Sequence, residues 1–461
     1  MRKFTILSPT AILGYGFPVK SFENGLAYEP DLIAVDAGST DPGPYYLGIG
    51  KSFTDRSGVM RDLRIILTAA ISRKIPVVIG TAGGCGALPH VTWTREIIEQ
   101  IAHEHGLSFK LAVVPSDVPR EFVLEKIAAG RISPLENDAE LTPEVVEQTS
   151  HIVAQIGVES LQKALELGAD VVLAGRAYDP SVFAALPIAR GFDRGLALHL
   201  GKILECAAIA ATPGSGSDSV IGILRDESFD LVPLSDDRVF TRQSTAAHSL
   251  YEKSDPYRLP GPGGTLDLTE CVFTETGDGR VEVRGTRFVP AAVNTVKLEG
   301  ARCVGFRTIS IAGVRDPIMI SQIDEILATV RERTEMILER EKIDARFFFH
   351  VYGRDGVMGA LEPDRTFVPI EIGIVIDVIA PTQLEADTVC SVTRSTLLHY
   401  GYPGRISTAG NLAFPFSPSD LAAGPVFEFS VYHLLEIDAD EIERLFPVEI
   451  VNVNHEQGAS S

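Results

Sequence analysis

The stretch "LAGRAYDPS" (173–181) ends an apolar run in Gly175, Arg176, Asp179 and Pro180. A tight turn needs the glycine and the proline, and neither explains the Arg and Asp beside them. A guanidinium can grip a carboxylate through two parallel hydrogen bonds, which makes Arg176 a candidate anion clamp. Asp179 would orient Arg176 or face the ligand as a base. The plainer reading is that the two residues pair with each other and close the turn.

Three other strand ends carry polar or glycine-rich punctuation. "VDAGSTDPGP" offers Asp36, Ser39, Thr40 and Asp41, and "VPSDVPRE" offers Asp117 and Arg120. "GTAGGCG" (80–86) has four glycines in seven residues. Its Gly83, Gly84, Cys85 and Gly86 backbone could approach an anion or an enolate oxygen, or could simply turn. Cys85 reads better as a small buried residue than as a nucleophile, since no histidine lies at a fixed spacing from it. In "LHLGKILECAAIAA" (198–211), Glu205 sits on an apolar helix. Burial there would raise its pKa if unpaired and suit it to acid–base work, while an Arg–Glu structural pair is the alternative. "TAAHSLYE" places His248 and Glu252 one helical turn apart, either as a surface pair or as a contribution to the site.

These residues need elements to hold them. Apolar runs at 4–7, 32–38, 76–80, 111–115 and 171–175 alternate with amphipathic stretches such as "TREIIEQIAHEHG". That alternation predicts an α/β fold, an N-terminal parallel sheet with helices on its faces, over residues 1–212. Such sheets bind ligands at the carboxyl ends of their strands, where the candidates fall. "TPGSGSDS" (212–219) reads as a break. Residues 213–461 then read as an α+β domain in a strand–helix–strand–strand–helix order, ferredoxin-like in type. "CVFTETGDGRVEVRG" predicts a hairpin, "SDPYRLPGPGG" a loop, Ser321-x-x-Asp324 a capping box, and 452–461 a frayed tail.

Composition narrows the classes. With 461 residues, 45% hydrophobic and 22% charged, the chain is globular and large enough for more than one domain. A net charge of −21 argues against nucleic acid as partner. No apolar run is long enough for a bilayer, so no membrane partner is expected. Five scattered cysteines without a CxxC, and an N-terminus broken by prolines and glycines, suggest a cytoplasmic protein. No histidine pair has zinc spacing. A hard cation such as Mg²⁺ on Asp36, Asp41 or Asp179 is left open without support from spacing. The glycine loop is a poor dinucleotide fingerprint and no P-loop occurs, so neither NAD nor ATP is expected.

"GADVVLAGRAYDPS", "GKILECAA", "STAAHSLYEKSDPY", "GGTLDLTECVF" and "GNLAFPFSPSDL", in that order, resemble the acyclic terpene utilisation (AtuA-type) family. The resemblance covers most of the chain. It implies carboxylic-acid catabolism through acyl-CoA intermediates. Members that work with a small partner subunit suggest one here too, because the family's RSGDKG-like terminal segment is missing. A homo-oligomer is also expected. The combined expectation is a lyase, either a hydratase/dehydratase or a C–C lyase, acting on a small branched carboxylate or its acyl-CoA thioester. Arg176 would be the clamp, 83–86 the oxyanion donors, and Glu205 or Asp179 the base, with His248, Asp36 and Asp117 around them. The alternatives are acyl or CoA transfer through Glu205 and a non-catalytic subunit that binds an acidic metabolite.

Overall fold

A computed structural model describes residues 2–135, 139–252, 254–406 and 409–454. The fold is α/β. The chain divides into two compact units: residues 1–302 with 429–461, and residues 303–428.

The first unit is built on a ten-stranded sheet. From edge to edge its strands are Val272–Gly277, Arg280–Arg284, Ser228–Pro233, Val220–Arg225, Lys3–Ser8, Leu32–Asp36, Val77–Gly80, Val171–Ala174, Phe109–Val114 and Glu449–Val453. The five from Lys3–Ser8 to Phe109–Val114 run parallel, and the rest pair antiparallel. The parallel strands are buried on both faces, as their Val/Ile/Leu/Ala runs require. On one face, Ile33, Val35, Val77 and Ile79 pack with Leu63 and Ile66 of helix Arg56–Arg73 and Ile97 and Ile101 of helix Leu88–His105. On the other, Ala34, Val78 and Val172 pack with Leu161 of Val158–Glu166, Val182 and Phe183 of Asp179–Ala189, and Leu200 of Arg194–Leu204.

The expected break at 212 falls inside this unit. Val220–Arg225 pairs with Lys3–Ser8 along its whole length, so the composition shift marks a crossover within one sheet. "SDPYRLPGPGG" is no loop: Arg258–Gly261 and Gly264–Asp267 form a hairpin whose tip supplies the Pro and Gly. The predicted hairpin at 272–284 is present, with Asp278 and Gly279 in its turn. Asn452 and Val453 belong to the edge strand rather than to a frayed tail, and 455–461 lie outside the described residues.

In the second unit the elements run strand Thr295–Val314, helix Ile323–Glu341, strands Arg346–Tyr352 and Ile372–Ala380, helix Gln383–Leu398, strand Asp420–Glu436. The two long strands also reach into the first unit's sequence. With sheet order Arg346–Tyr352, Ile372–Ala380, Thr295–Val314, Asp420–Glu436, this is the ferredoxin-like βαββαβ arrangement. Ile323, Ile326 and Val330 face its core beside Ile374, Ile376 and Val378. The Ser321 capping box is absent. Ser321 closes a separate short helix, Pro317–Ser321, and bonds its own Ile318 carbonyl, while Gln322 starts the long helix without a side-chain cap.

Candidate functional site: a buried charge cluster at a switch point

Val77–Gly80 and Val171–Ala174 are neighbours, but the chain leaves them toward opposite faces of the sheet. After Gly80 it enters helix Leu88–His105, and after Ala174 it enters helix Asp179–Ala189. This is the topological switch point where open α/β sheets keep their ligand crevice. The two loops meet there backbone to backbone: a Cβ on Gly86 would stand 2.0 Å from the Arg176 nitrogen, so only glycine allows the approach.

Arg176 is 3% exposed. Its Nε donates to Glu299 Oε2 at 2.5 Å, and its Nη1 to Asp179 Oδ1 at 2.9 Å and to the Ala177 carbonyl at 2.7 Å. Both readings of "GRAYD" therefore meet in one geometry. The turn pair with Asp179 exists, and a second carboxylate from the strand Thr295–Val314 joins it. Nη2 makes no hydrogen bond with a described residue, so one arm of the fork is left over. Glu299 is fully buried, accepting also from Thr40 Oγ1 at 3.0 Å and pairing with Lys297 Nζ at 2.9 Å. Burial alone would raise its pKa, but Arg176 and Lys297 outweigh burial and hold the carboxyl at about 2.

A second ion pair lies near the first, close enough for Asp36 to feel both. Lys202 Nζ bonds Glu205 Oε1 at 2.5 Å, with both residues buried. Burial opposes the lysine's charge, yet Glu205 keeps it firmly protonated. Glu205 is not inside a helix as its apolar neighbours suggest. It is the C-cap of Arg194–Leu204, and a short 3₁₀ turn, Ala207–Ala210, follows. Its partner is a lysine one turn earlier rather than an arginine. Asp36, at the end of Leu32–Asp36, feels both sides of the cleft. Burial first, then repulsion from Asp179 and Glu205, push its carboxyl well above the usual range.

His248 joins from helix Arg242–Ser249. Its ring stacks on Tyr251 with centroids 5.3 Å apart, and burial followed by Lys202 lowers its pKa to about 4. Its Nε2 is buried and has no hydrogen-bond partner among the described residues. Glu252 lies beyond the helix end with φ 61°, so the expected one-turn pairing with His248 does not form.

The glycine loop is less open than its composition suggests. Gly84 and Gly86 spend their N–H groups on Thr81 and Ala82 carbonyls, and the Phe53 ring lies where a Gly84 side chain would be. Burial lifts the Cys85 thiol to about 12, and its Sγ donates to the Ser39 carbonyl, the bonding of a core cysteine. Asp117 lines a different hollow, of about 530 Å³, with Leu88, Trp93 and His151. Burial raises its carboxyl to about 6, against hydrogen bonds from the Leu88 N–H and its own backbone N–H. Asp36, Arg176, Asp179, Glu205 and His248 thus come together and Asp117 does not. No group of three or more His, Cys, Asp or Glu among the described residues has metal-holding geometry.

Lys202, Lys297 and Glu299 escaped sequence reading. Lys202 stands three residues before Glu205, a spacing readable on any helix. Lys297 and Glu299 share one face of a strand by alternation, but only the fold reveals which face meets Arg176.

Comparison with protein families places the chain: residues 55–219 and 233–413 match the acyclic terpene utilisation family protein AtuA. The protein belongs to this family. Neither curated proteins nor solved structures give a match. No helix among the described residues is long and apolar enough to cross a membrane.

Proposed function

We propose that this family member is a lyase of the hydratase/dehydratase type, acting on a small branched carboxylate or its acyl-CoA thioester at the switch-point cleft. The observation that carries the reading is an aspartic acid whose pKa burial raises, beside an ion-paired carboxylate in one buried space. Burial and its neighbours favour the protonated form of Asp36, while Glu205 pairs with Lys202. Environments that push two carboxyl groups apart in pKa separate the roles of acid and base.

In the dehydration direction, Glu205 removes the proton α to the substrate carbonyl. The Lys202 ammonium faces the enolate charge that develops. Asp36 protonates the departing hydroxyl, so water leaves as the double bond forms. Two protons move, one onto Glu205 and one from Asp36, and their exchange with solvent resets the pair. Arg176 offers its remaining Nη2 arm to the carboxylate or thioester oxygen. His248, neutral near pH 7, accepts a hydrogen bond from the substrate hydroxyl.

The test is proton exchange. With a panel of branched 3-hydroxyacyl- and 2-enoyl-CoA thioesters and the free acids in D₂O, NMR should show deuterium entering the α position of one of them. Mass analysis of the protein after the same incubation gives the opposing outcome. A covalent acyl or CoA adduct on Glu205 without α exchange would replace the lyase by a transferase. Binding with neither exchange nor adduct would leave a non-catalytic subunit.

A further inference from the structure

The stretch that carries Lys202 and Glu205 also carries His199, one helical turn before the lysine. His199 is fully buried, and no step of the proposed reaction uses it. Its Nδ1 lies 2.7 Å from Thr286 Oγ1, and its Nε2 lies 2.9 Å from Ser249 Oγ. Phe229 and Phe273 meet the ring edge to face, with centroids 5.2 and 6.1 Å away and planes at 88° and 85°. Both nitrogens and the ring plane are thus fixed.

The hydrogen bonds on either side decide which nitrogen carries the proton. Ser249 Oγ also donates to the Thr245 carbonyl at 3.1 Å, and Cys271 Sγ lies 3.2 Å from Thr286 Oγ1. With the proton on Nε2, every hydrogen finds an acceptor. Cys271 S–H donates to Thr286, Thr286 O–H to Nδ1, Nε2–H to Ser249, and Ser249 O–H to the Thr245 carbonyl. With the proton on Nδ1, the Ser249 hydrogen must turn to Nε2, and the Cys271 S–H has no acceptor among the described residues. A buried donor left unpaired costs free energy, so the first arrangement is favoured. Burial, then Lys202, lowers the imidazole's pKa to about 3, so the ring stays neutral and keeps its acceptor nitrogen.

This chain of bonds joins three parts of the first unit. His199 stands on helix Arg194–Leu204, Thr286 between strands Arg280–Arg284 and Arg287–Pro290, and Ser249 at the end of helix Arg242–Ser249, directly after His248. Among the described residues, His199–Ser249 is the one side-chain hydrogen bond between the two helices. We infer that His199 is a positioning residue: through Ser249 it holds the end of helix Arg242–Ser249 against Arg194–Leu204 and keeps His248 covered beside Lys202. The inference rests on His248 serving the proposed site. Its tests need no substrate, so it can fail while the lyase reading stands, and the reverse.

Nitrogen-15 labelling of the histidines in the whole protein, with signals assigned by single substitution, reads both halves of the inference. Two-bond proton–nitrogen correlations at neutral pH should show His199 protonated on Nε2. Above the isoelectric point, wild-type His248 should show no titration, because its pKa is about 4. His199→Phe keeps the ring's packing and removes both bonds. It should loosen the helix end and raise the His248 pKa toward 6.5, so that titration enters view between about pH 5 and 7. Ser249→Ala should act in the same direction. His199→Gln, whose amide N–H can reach toward Ser249, should lie closer to wild type. Circular dichroism checks folding. A histidine that serves packing alone would lower the melting temperature and leave the His248 titration where it was. That result in folded His199→Phe and Ser249→Ala overturns the inference. So does a wild-type His199 protonated on Nδ1, or a wild-type His248 that already titrates near 6.5.

Discussion

The site holds two buried ion pairs of different character. Arg176–Glu299 is held by Asp179, Thr40, Thr81 and Lys297, which leave over the Nη2 arm of Arg176, and its formal charges balance. Lys202–Glu205 is joined by a short contact between residues one helical turn apart. Beside it lie a histidine whose Nε2 has no partner among the described residues and an aspartate whose pKa is pushed up, first by burial. A satisfied network fixes geometry, whereas an unsatisfied one keeps groups ready to exchange protons. The first pair positions the loops at the switch point, and the second is placed to do the work.

Three substitutions test this division, in falling order of their expected cost in stability. Glu299→Gln strips the carboxylate from buried Arg176 and half-buried Lys297 and should cost about 3–5 kcal/mol in urea unfolding, as breaking a buried pair does. Its pH signature follows from sign. The folded pKa of about 2 lies below the ordinary 4.5, so the contribution is complete above pH 4.5 and disappears as pH falls toward 2. The wild type should therefore lose stability more steeply than the variant across that window. Equal slopes would mean that Glu299 does not hold the network.

Glu205→Gln should cost less, about 1.5–3 kcal/mol, the range for one charge-assisted hydrogen bond, and should lower turnover about 10²-fold or more. Adding Lys202→Met removes the stranded ammonium and should restore much of the stability without restoring activity. Recovery of both would make the pair structural and erase the contrast with Arg176–Glu299.

Asp36→Asn should change stability least, by under about 1 kcal/mol near neutral pH, because an amide of the same size brings no charge into a site whose burial opposes one. Turnover should nevertheless fall. In the wild type, the raised pKa means that activity should decline as pH rises through it, and the variant should lack that limb. A variant that is fully active, with the wild-type pH profile, removes Asp36 from the chemistry.

The parallel core and the strand-end location of Asp36, Arg176 and Asp179 were legible because apolar runs alternate with amphipathic helices, an order that makes the strands parallel and brings their carboxyl ends together. Glu299 was not. Its meeting with Arg176 depends on Thr295–Val314 lying beside His151–Ala154, with Leu298 opposite Ala154, a register between segments about 150 residues apart. The hairpin at 258–267 was hidden by its own turn chemistry, since Pro and Gly are as frequent at hairpin tips as in loops. The unit boundary was misplaced because "TPGSGSDS" looks like a linker while serving as a crossover. The true division interrupts two long strands that run on through their own glycines, Gly300 and Gly305 in one and Gly424 before Pro425 in the other, so no linker-like stretch marks it.

That division has a consequence for how the protein is made. Residues 303–428 are inserted between two parts of the first unit. A ribosome therefore finishes one whole body before supplying the rest of the other. At 5–20 residues per second, roughly 6–25 s separate Arg302 from Phe429. During that interval Lys297 awaits Tyr432, whose hydroxyl it will reach at 2.8 Å, and Phe109–Val114 awaits the antiparallel strand Glu449–Val453. The edge of Phe109–Val114 thus stays unpaired until the whole second unit has been made, and Lys297, the partner of Glu299, gains Tyr432 only after it.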